Sequence, residues 1–378
     1  MPSLDIVILS SIDWDFVWQR HQTFAALLSR WSRIFFIENT GFRPPRWRDL
    51  PRLLGRLRKW GGTRNPAPLQ NPVPENVTVV SPLVLPPGRG LNWLLNDLVF
   101  VPALLGRLRA HGVQANPILW TYLPTFTTLS AIRFLRPSAV IYDCVTNFYG
   151  HPDAPPYLAN VENQVLEVTD LILTDSPFLF KRYSQRPQPI VQLHHGVDLE
   201  LFAQANQPAV RPRSLCYFGS IHHHLDWEII GALASAGFEI GLIGPRVGGM
   251  PPRLPSGVSV RPAVPPHELV REIAPYAALL LPYHVHTDFM QGVLPAKIYE
   301  CLATGKPVLS SPLPSFNDEL REVLCLCASP SEFVHAAERL DALKDKPRAE
   351  RQLALARQYS REATSQQLAR ILSAVIRR

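Results

Sequence analysis

Lys297 and Glu300 stand three residues apart in the stretch Gly292-Val293-Leu294-Pro295-Ala296-Lys297-Ile298-Tyr299-Glu300-Cys301-Leu302-Ala303-Thr304-Gly305. On a helix that spacing puts a cation and a carboxylate on one face. Pro295 is suited to start such a helix and Gly305 to stop it. Ile298 and Leu302, four apart, can pack on a sheet. The amides of Gly292, Val293 and Leu294 fall at the N-terminal turn, where free N–H groups and the helix dipole favour an anion. Amides and Lys297 for phosphate oxygens, with Glu300 accepting from ribose hydroxyls, suit a nucleotide diphosphate. The competing reading is a sheet-packing helix with a surface Lys–Glu pair.

A helix of this kind needs a sheet, and strand signals lie on both sides, at Ala278 to Tyr283 and Pro307 to Ser310. The alternation begins at the start of the chain. Leu4 to Leu9 reads as a buried parallel strand, Ser10 to Asp15 as a polar turn, Phe16 to Trp31 as a helix and Ile34 to Glu38 as a second strand. That is one βαβ unit, which calls for a right-handed crossover. Further strands and helices follow as far as Leu193. The series restarts at Leu215-Cys216-Tyr217-Phe218-Gly219, after a segment holding Gln204, Asn206, Pro208 and Pro212. The expectation is an α/β protein of two Rossmann-like, doubly wound domains facing each other across a cleft. They would span 1–195 and 196–355, with a C-terminal helix over 356–378 packing back on the first. The 378 residues, 46% of them hydrophobic, exceed one ordinary core and suffice for two. The 38 prolines read as loop stiffeners and element breaks.

The segment Glu300-Cys301-Leu302-Ala303-Thr304-Gly305-Lys306-Pro307-Val308 resembles that around the second glutamate of the E-x7-E motif in retaining glycosyltransferases of the GT-B fold, especially family 4. The resemblance implies that Glu300 grips the donor's ribose. The motif's first glutamate is replaced by Gly292, which leaves the amides of Gly292, Val293 and Leu294 to serve the sugar and phosphates. Tyr217-Phe218-Gly219-Ser220-Ile221 is similar to the strand-to-glycine turn that lies by the donor phosphates in this fold, where a side chain would block the backbone's approach. His222-His223-His224 follow where relatives often carry a basic residue. Arg246, after Gly244-Pro245, is a further diphosphate candidate. His194-His195-Gly196-Val197-Asp198 resembles the interdomain crossing, with Gly196 allowing a turn and Asp198 capping a short helix.

The implied activity is transfer of a sugar from a nucleotide-diphosphate sugar to a glycan, lipid-linked or small-molecule acceptor. It would proceed with retention and without a metal or other cofactor. The leaving diphosphate would help deprotonate the acceptor, and Lys297 and Arg246 would stabilise its charge. Two rivals remain, a nucleotide-sugar epimerase of similar fold and a non-catalytic scaffold.

The first half offers acceptor candidates at the ends of strands: Asp13, Trp14, Asp15, Trp18, Gln19 and Arg20. Trp14 or Trp18 would stack on a sugar or else belong to the core. Asp143, in a Tyr142-Asp143-Cys144 segment that resembles one in bacterial polysaccharide glycosyltransferases, would orient or deprotonate the acceptor hydroxyl, or cap a turn. His151 is a second candidate. Asp13-Trp14-Asp15 has metal-binding spacing but lies in the acceptor half, so no metal is expected there. P-loop, HExxH, GxSxG and GxGxxG patterns are absent.

The net charge of +7 is concentrated. From Gly41 to Trp60, seven cations face the single acid Asp49, interleaved with Trp47, Leu50, Leu53, Leu54, Leu57 and Trp60. This pattern points to an anionic membrane surface rather than to nucleic acid, through residues 43–60, with a solvated loop and helix as the alternative. Five scattered cysteines fit a reduced setting. Leu4 to Leu9 is too short and acid-flanked for a leader, and no apolar run reaches the length of a membrane span. The expected place is the cytoplasm, at the inner face of the membrane.

Overall fold

The structure is a computed structural model that describes residues 4–42, 71–85, 90–151, 153–343 and 345–376. The basic segment 43–60 lies outside the described residues. By contacts the chain divides into two units, Met1–Leu193 with Ser365–Arg378, and His194–Thr364.

In the first unit the strands are β1 (Asp5–Leu9), β2 (Arg33–Ile37), β3 (Val77–Val80), β4 (Ile118–Thr121), β5 (Ala139–Cys144), β6 (Leu171–Thr174) and β7 (Ile190–Gln192). All pair in parallel, in the order β3-β2-β1-β4-β5-β6-β7. Buried parallel strands are apolar on both faces, and β1 shows this directly. Ile6 and Ile8 pack with Phe24 and Leu28 and with Leu368, Ile371 and Leu372 of the last helix, Arg361–Ile376. Val7 and Leu9 pack on the opposite face with Val101, Leu104, Leu105 and Leu108. These belong to the helix Leu91–Ala110, which is long and apolar enough, by length and composition, to cross a bilayer. The sequence reading does not flag it, because Asn96 and Asp97 interrupt the apolar run.

The second unit holds β8 (Arg211–Phe218), β9 (Glu239–Ile243), β10 (Val258–Arg261), β11 (Tyr276–Leu281), β12 (Val308–Ser310) and β13 (Cys325–Leu326). They are again all parallel, in the order β10-β9-β8-β11-β12-β13. One apolar cluster lines both faces, with Leu215, Tyr217, Leu279, Leu281, Ile298 and Leu302 in its centre. Each unit is therefore doubly wound, with its order reversing between β1 and β4 in the first and between β8 and β11 in the second.

The segment that leaves the first unit is locked to the one that returns. Val197 N donates to the Tyr359 carbonyl at 2.8 Å and Arg361 N to the Val197 carbonyl at 2.9 Å. Asp198 caps the helix Leu199–Ala203 through the Leu201 amide and also pairs with Arg361 at 2.7 Å. The cap and the Gly196 turn (φ 80°) are those read from the sequence.

Candidate functional site

In an open α/β sheet the connections diverge where the strand order reverses, and a crevice opens beyond the strand ends. In the second unit this point lies beyond Phe218 and Leu281. There β8 runs into Gly219, whose φ of 110° disfavours any side chain. A Cβ at Gly219 would stand 2.3 Å from Lys297 Nζ, and one at Gly244 would stand 2.0 Å from the Gly219 carbonyl oxygen. Gly244 is thus required by close approach of backbone, and Gly219 by its positive φ, since the lysine could move aside. The Gly219 amide donates to Ile243 and the Ile221 amide to Pro245. That pairing brings exposed Arg246 to the same edge.

Lys297 opens the helix Lys297–Ala303, which follows β11 across a loop. Its ammonium donates to the Tyr217 hydroxyl at 2.8 Å and lies 4.1 Å from the Tyr217 ring centre. The Tyr217 hydroxyl in turn donates to the Ser220 carbonyl at 2.7 Å. The lysine is therefore held over the glycine turn by a residue eighty positions earlier in the chain. Tyr217 has no counterpart in the sequence reading. Its sign is a tyrosine two residues before a strand-ending glycine, on the face that an alternating strand shares with that glycine.

Glu300 lies one turn further on. Burial pushes its carboxyl up from 4.5 to about 7, while Lys297 and Arg361 pull it down and Asp198 raises it. Its carboxylate accepts no hydrogen bond among the described residues. A half-buried acid with no donor among the described residues, near two cations, is free to accept hydrogen bonds from a ligand. His222, stacked on Tyr283 at 6.4 Å, is held neutral near 3 by burial and then by Lys297 and its neighbouring histidines. Any contact it makes with a phosphate is that of a neutral donor rather than a cation.

The loop before the helix differs from the expectation. The helix begins at Lys297 with Ala296 as its N-cap, not at Pro295. A 3-10 turn over Asp288–Gly292 precedes it. The Val293 amide is used within that turn, donating to Met290 at 3.3 Å, and the Val293 carbonyl accepts from Ser315. Gly292 is buried, and of the three expected amides that of Leu294 makes no hydrogen bond among the described residues. The row of three helix-terminal donors is thus reduced, and in the glycine turn the amides of Gly219 and Ile221 are used within the sheet edge, so the Ser220 amide and the Lys297 ammonium are the donors left at this edge.

The first unit's strand ends are arranged differently. Asp143, expected at the acceptor, is fully buried and takes both Nε and Nη2 of Arg20. Its other oxygen also accepts from Trp120 Nε1 at 3.1 Å. Arg20 reaches the Leu193 carbonyl as well. Neither residue of this pair is placed to meet a substrate, because each has consumed the other's charge. Tyr142 donates to Glu162 at 2.7 Å, and Cys144 lies 3.3 Å from the Tyr183 hydroxyl. All three side chains of the Tyr142-Asp143-Cys144 segment therefore serve the core. Trp14 does too: it is buried edge-on to Trp18 and Phe36. Trp18 is half-buried and donates to Thr23. Asp13 is half-buried beyond β1, and Asp15 accepts from the Asn71 amide. A group missed in the sequence is His21, buried and held neutral near 3 by its burial and by Arg20. It pairs with Ser11 at 2.8 Å and lies against Tyr122 at 3.8 Å.

No family model matches the chain. Over 230 residues it is 26% identical to TuaH of Bacillus subtilis (strain 168), whose name is that of a teichuronic acid biosynthesis glycosyltransferase. The match covers 52% of this chain and 56% of TuaH, so the chain spans about half the length of that relative. Among solved structures, sucrose-phosphate synthase of Thermosynechococcus elongatus superposes with a TM-score of 0.65, covering 99% of each chain at 15% identity. Anabaena HepE, in complex with UDP and glucose, superposes with a TM-score of 0.61 over 98% of this chain and 99% of its own, at 14% identity. The chain has the GT-B fold: two doubly wound parallel-sheet units joined by a double crossing. At these identities the likeness to solved structures is one of fold.

Proposed function

We propose that this chain is a glycosyltransferase that takes a sugar from a nucleoside diphosphate sugar bound on the second unit. The carrying observation is the Lys297–Glu300 pair at the strand-order reversal, with Lys297 directly over Gly219 and Glu300 without a hydrogen-bond donor among the described residues. The backbone from Gly219 to Ser220, with Lys297 and Arg246, would hold the diphosphate, and Glu300 the ribose hydroxyls. The GT-B fold and the UDP held by HepE support this reading.

Transfer would be retaining and metal-independent. The departing diphosphate takes the acceptor's proton, and Lys297 stabilises the charge that develops on it. Asp13 remains a candidate acceptor contact, whereas Asp143 acts as a support for Arg20. The acceptor is a glycan, a lipid-linked sugar or a small molecule. The chain works in the cytoplasm at the inner face of the membrane, with residues 43–60 as its basic anchor.

Calorimetry with UDP tests the donor site. Glu300→Ala should weaken binding by about 1–3 kcal/mol, the scale of hydrogen bonds to a charged group. Unchanged affinity refutes the assignment. Deleting 43–60 should reduce flotation with anionic vesicles, and equal flotation removes that anchor from the reading.

A further inference from the structure

The helix Leu91–Ala110 is turned inside out with respect to polarity. Its two polar side chains in mid-helix face the protein. Asn96 is paired with both backbone groups of Leu85 at 2.7 Å each. Asp97 accepts from Ser130 at 2.6 Å and Arg133 at 2.5 Å. These inward bonds sit in a π-helical stretch, Asn96–Phe100. The side chains that face out are apolar: Leu91 is 67% exposed, Leu98 63% and Val99 50%, with Leu94, Ala103 and Gly106 also exposed. At 1.5 Å per residue, Leu91 to Gly106 makes a stripe of about 22 Å without a charge. A helix face normally shows the reverse pattern to water.

The stripe ends in a cation. Arg109 is exposed in the last turn of the helix, beyond Gly106. It lines an open cavity of about 550 Å³ together with Asn116, Arg133 and Arg136. The side chains of Arg109 and Arg136 make no ion pair or hydrogen bond among the described residues. Asn116 (φ 54°) and Arg136 (φ 46°) are the two non-glycine residues held at positive φ among those described. Such backbone is held where its surroundings require it. The cavity lies by Pro117, at the start of β4, so it is remote in the sheet from the strand ends considered above.

Charge names the occupant. Residues 43 to 110 contain eleven lysines and arginines against three acids, a net +8, whereas the whole chain carries +7. Most of that excess lies in 43–64, just ahead of this helix in the chain, and the helix end adds Arg109 beside Arg136 at the cavity. We propose that the outward face of Leu91–Ala110, closed at one end by Arg109 and Arg136, is a docking surface for an anionic phospholipid bilayer. Leu91, Leu94, Leu98 and Val99 enter the acyl boundary while the arginines meet lipid phosphates. This deepens the membrane reading, which rests on 43–60, by adding a second contact surface whose own residues lie outside that segment.

The test uses the full chain and co-sedimentation with vesicles of phosphatidylcholine, with and without phosphatidylglycerol. Wild type should bind the mixed vesicles and lose binding as salt rises. The triple variant Leu91→Gln, Leu94→Gln, Leu98→Gln should bind at least about ten-fold more weakly, because partition follows the apolar area inserted. Arg109→Gln with Arg136→Gln should flatten the salt dependence. UDP affinity should be unchanged in both, which reports that the chain is folded. Wild-type binding by the triple variant overturns the proposal even if deletion of 43–60 abolishes binding. Loss in the triple variant with no effect of that deletion supports the helix face and removes the 43–60 anchor. A wild type that is dimeric by light scattering and becomes monomeric in the triple variant also overturns it, since the face is then a contact between copies.

Discussion

The two sheets end in charged residues that have opposite circumstances. At the first unit's edge Arg20 and Asp143 meet in a two-pronged pair with less than 2% exposure on either side. Glu162 likewise gathers the hydroxyls of Tyr142, Tyr149 and Tyr183. At the second unit's edge, among the described residues, Lys297 has a neutral tyrosine hydroxyl as its hydrogen-bond partner, Arg246 is exposed, and Glu300 has no donor. Buried charge is costly unless matched. Where the fold supplies the match, the residues are structural. Where it does not, the charged groups are half-buried or exposed and stay open to a ligand. The same residue types at equivalent strand ends therefore differ in role according to who completes them.

The strongest way to break the contrast is at Asp143. Asp143→Ala leaves a guanidinium buried and unpaired, so the first unit should lose about 3–5 kcal/mol in denaturant unfolding. Replacing Arg20 with Met in the same chain should restore part of that loss. A single variant that melts with wild type yet no longer turns over would make the first edge catalytic and abolish the distinction. Next is Lys297→Met, which keeps the stem and removes the charge. Turnover should fall about 10²- to 10³-fold, as for loss of one group that stabilises a developing anion. The melting temperature should move little, because the ammonium makes no ion pair among the described residues and Glu300, which it draws down, can keep its proton instead. Unfolding of this variant would instead assign Lys297 to the structure.

The strand ladder was legible because apolar runs of strand length alternate with helical spacing. β1, β4, β5, β8 and β11 all carry such runs. β13 escaped, since two residues, Cys325 and Leu326, hold no period. The types at the donor edge were legible too, as glycine, lysine and glutamate at chemically sensible spacing. What distinguishes the two edges was not. Arg20 and Asp143 are 123 residues apart, and nothing local at either marks the partner. A lone aspartate at a strand end reads as a base or a cap until the arginine across the sheet is seen. Likewise, the loop before Lys297 reads as three free helix-terminal amides, whereas the 3-10 turn over Asp288–Gly292 takes the Val293 donor for itself.

The smallest effect sharpens the contrast most, because it reads the unmatched acid directly. Burial holds the Glu300 carboxyl near 7, above its ordinary 4.5. Ribose hydroxyls donate to the ionised form, so UDP affinity should rise as pH climbs through about 7, by a few-fold, and Glu300→Gln should flatten the curve. Binding should then release protons near that pH, visible as a calorimetric heat that depends on the buffer. Arg361 pulls the carboxyl down, so Arg361→Gln should move the midpoint upward without touching the diphosphate contacts. The stability of the unliganded chain carries the opposite sign. A folded value above the unfolded one means that the group's contribution is present below about 4.5 and is lost as pH rises through about 7. Glu300→Gln should remove that loss, so its advantage in melting temperature over wild type should grow from acid to neutral pH. A pH-independent UDP affinity together with a pH-independent difference in melting would mean that Glu300 is already satisfied within the protein, as Asp143 is.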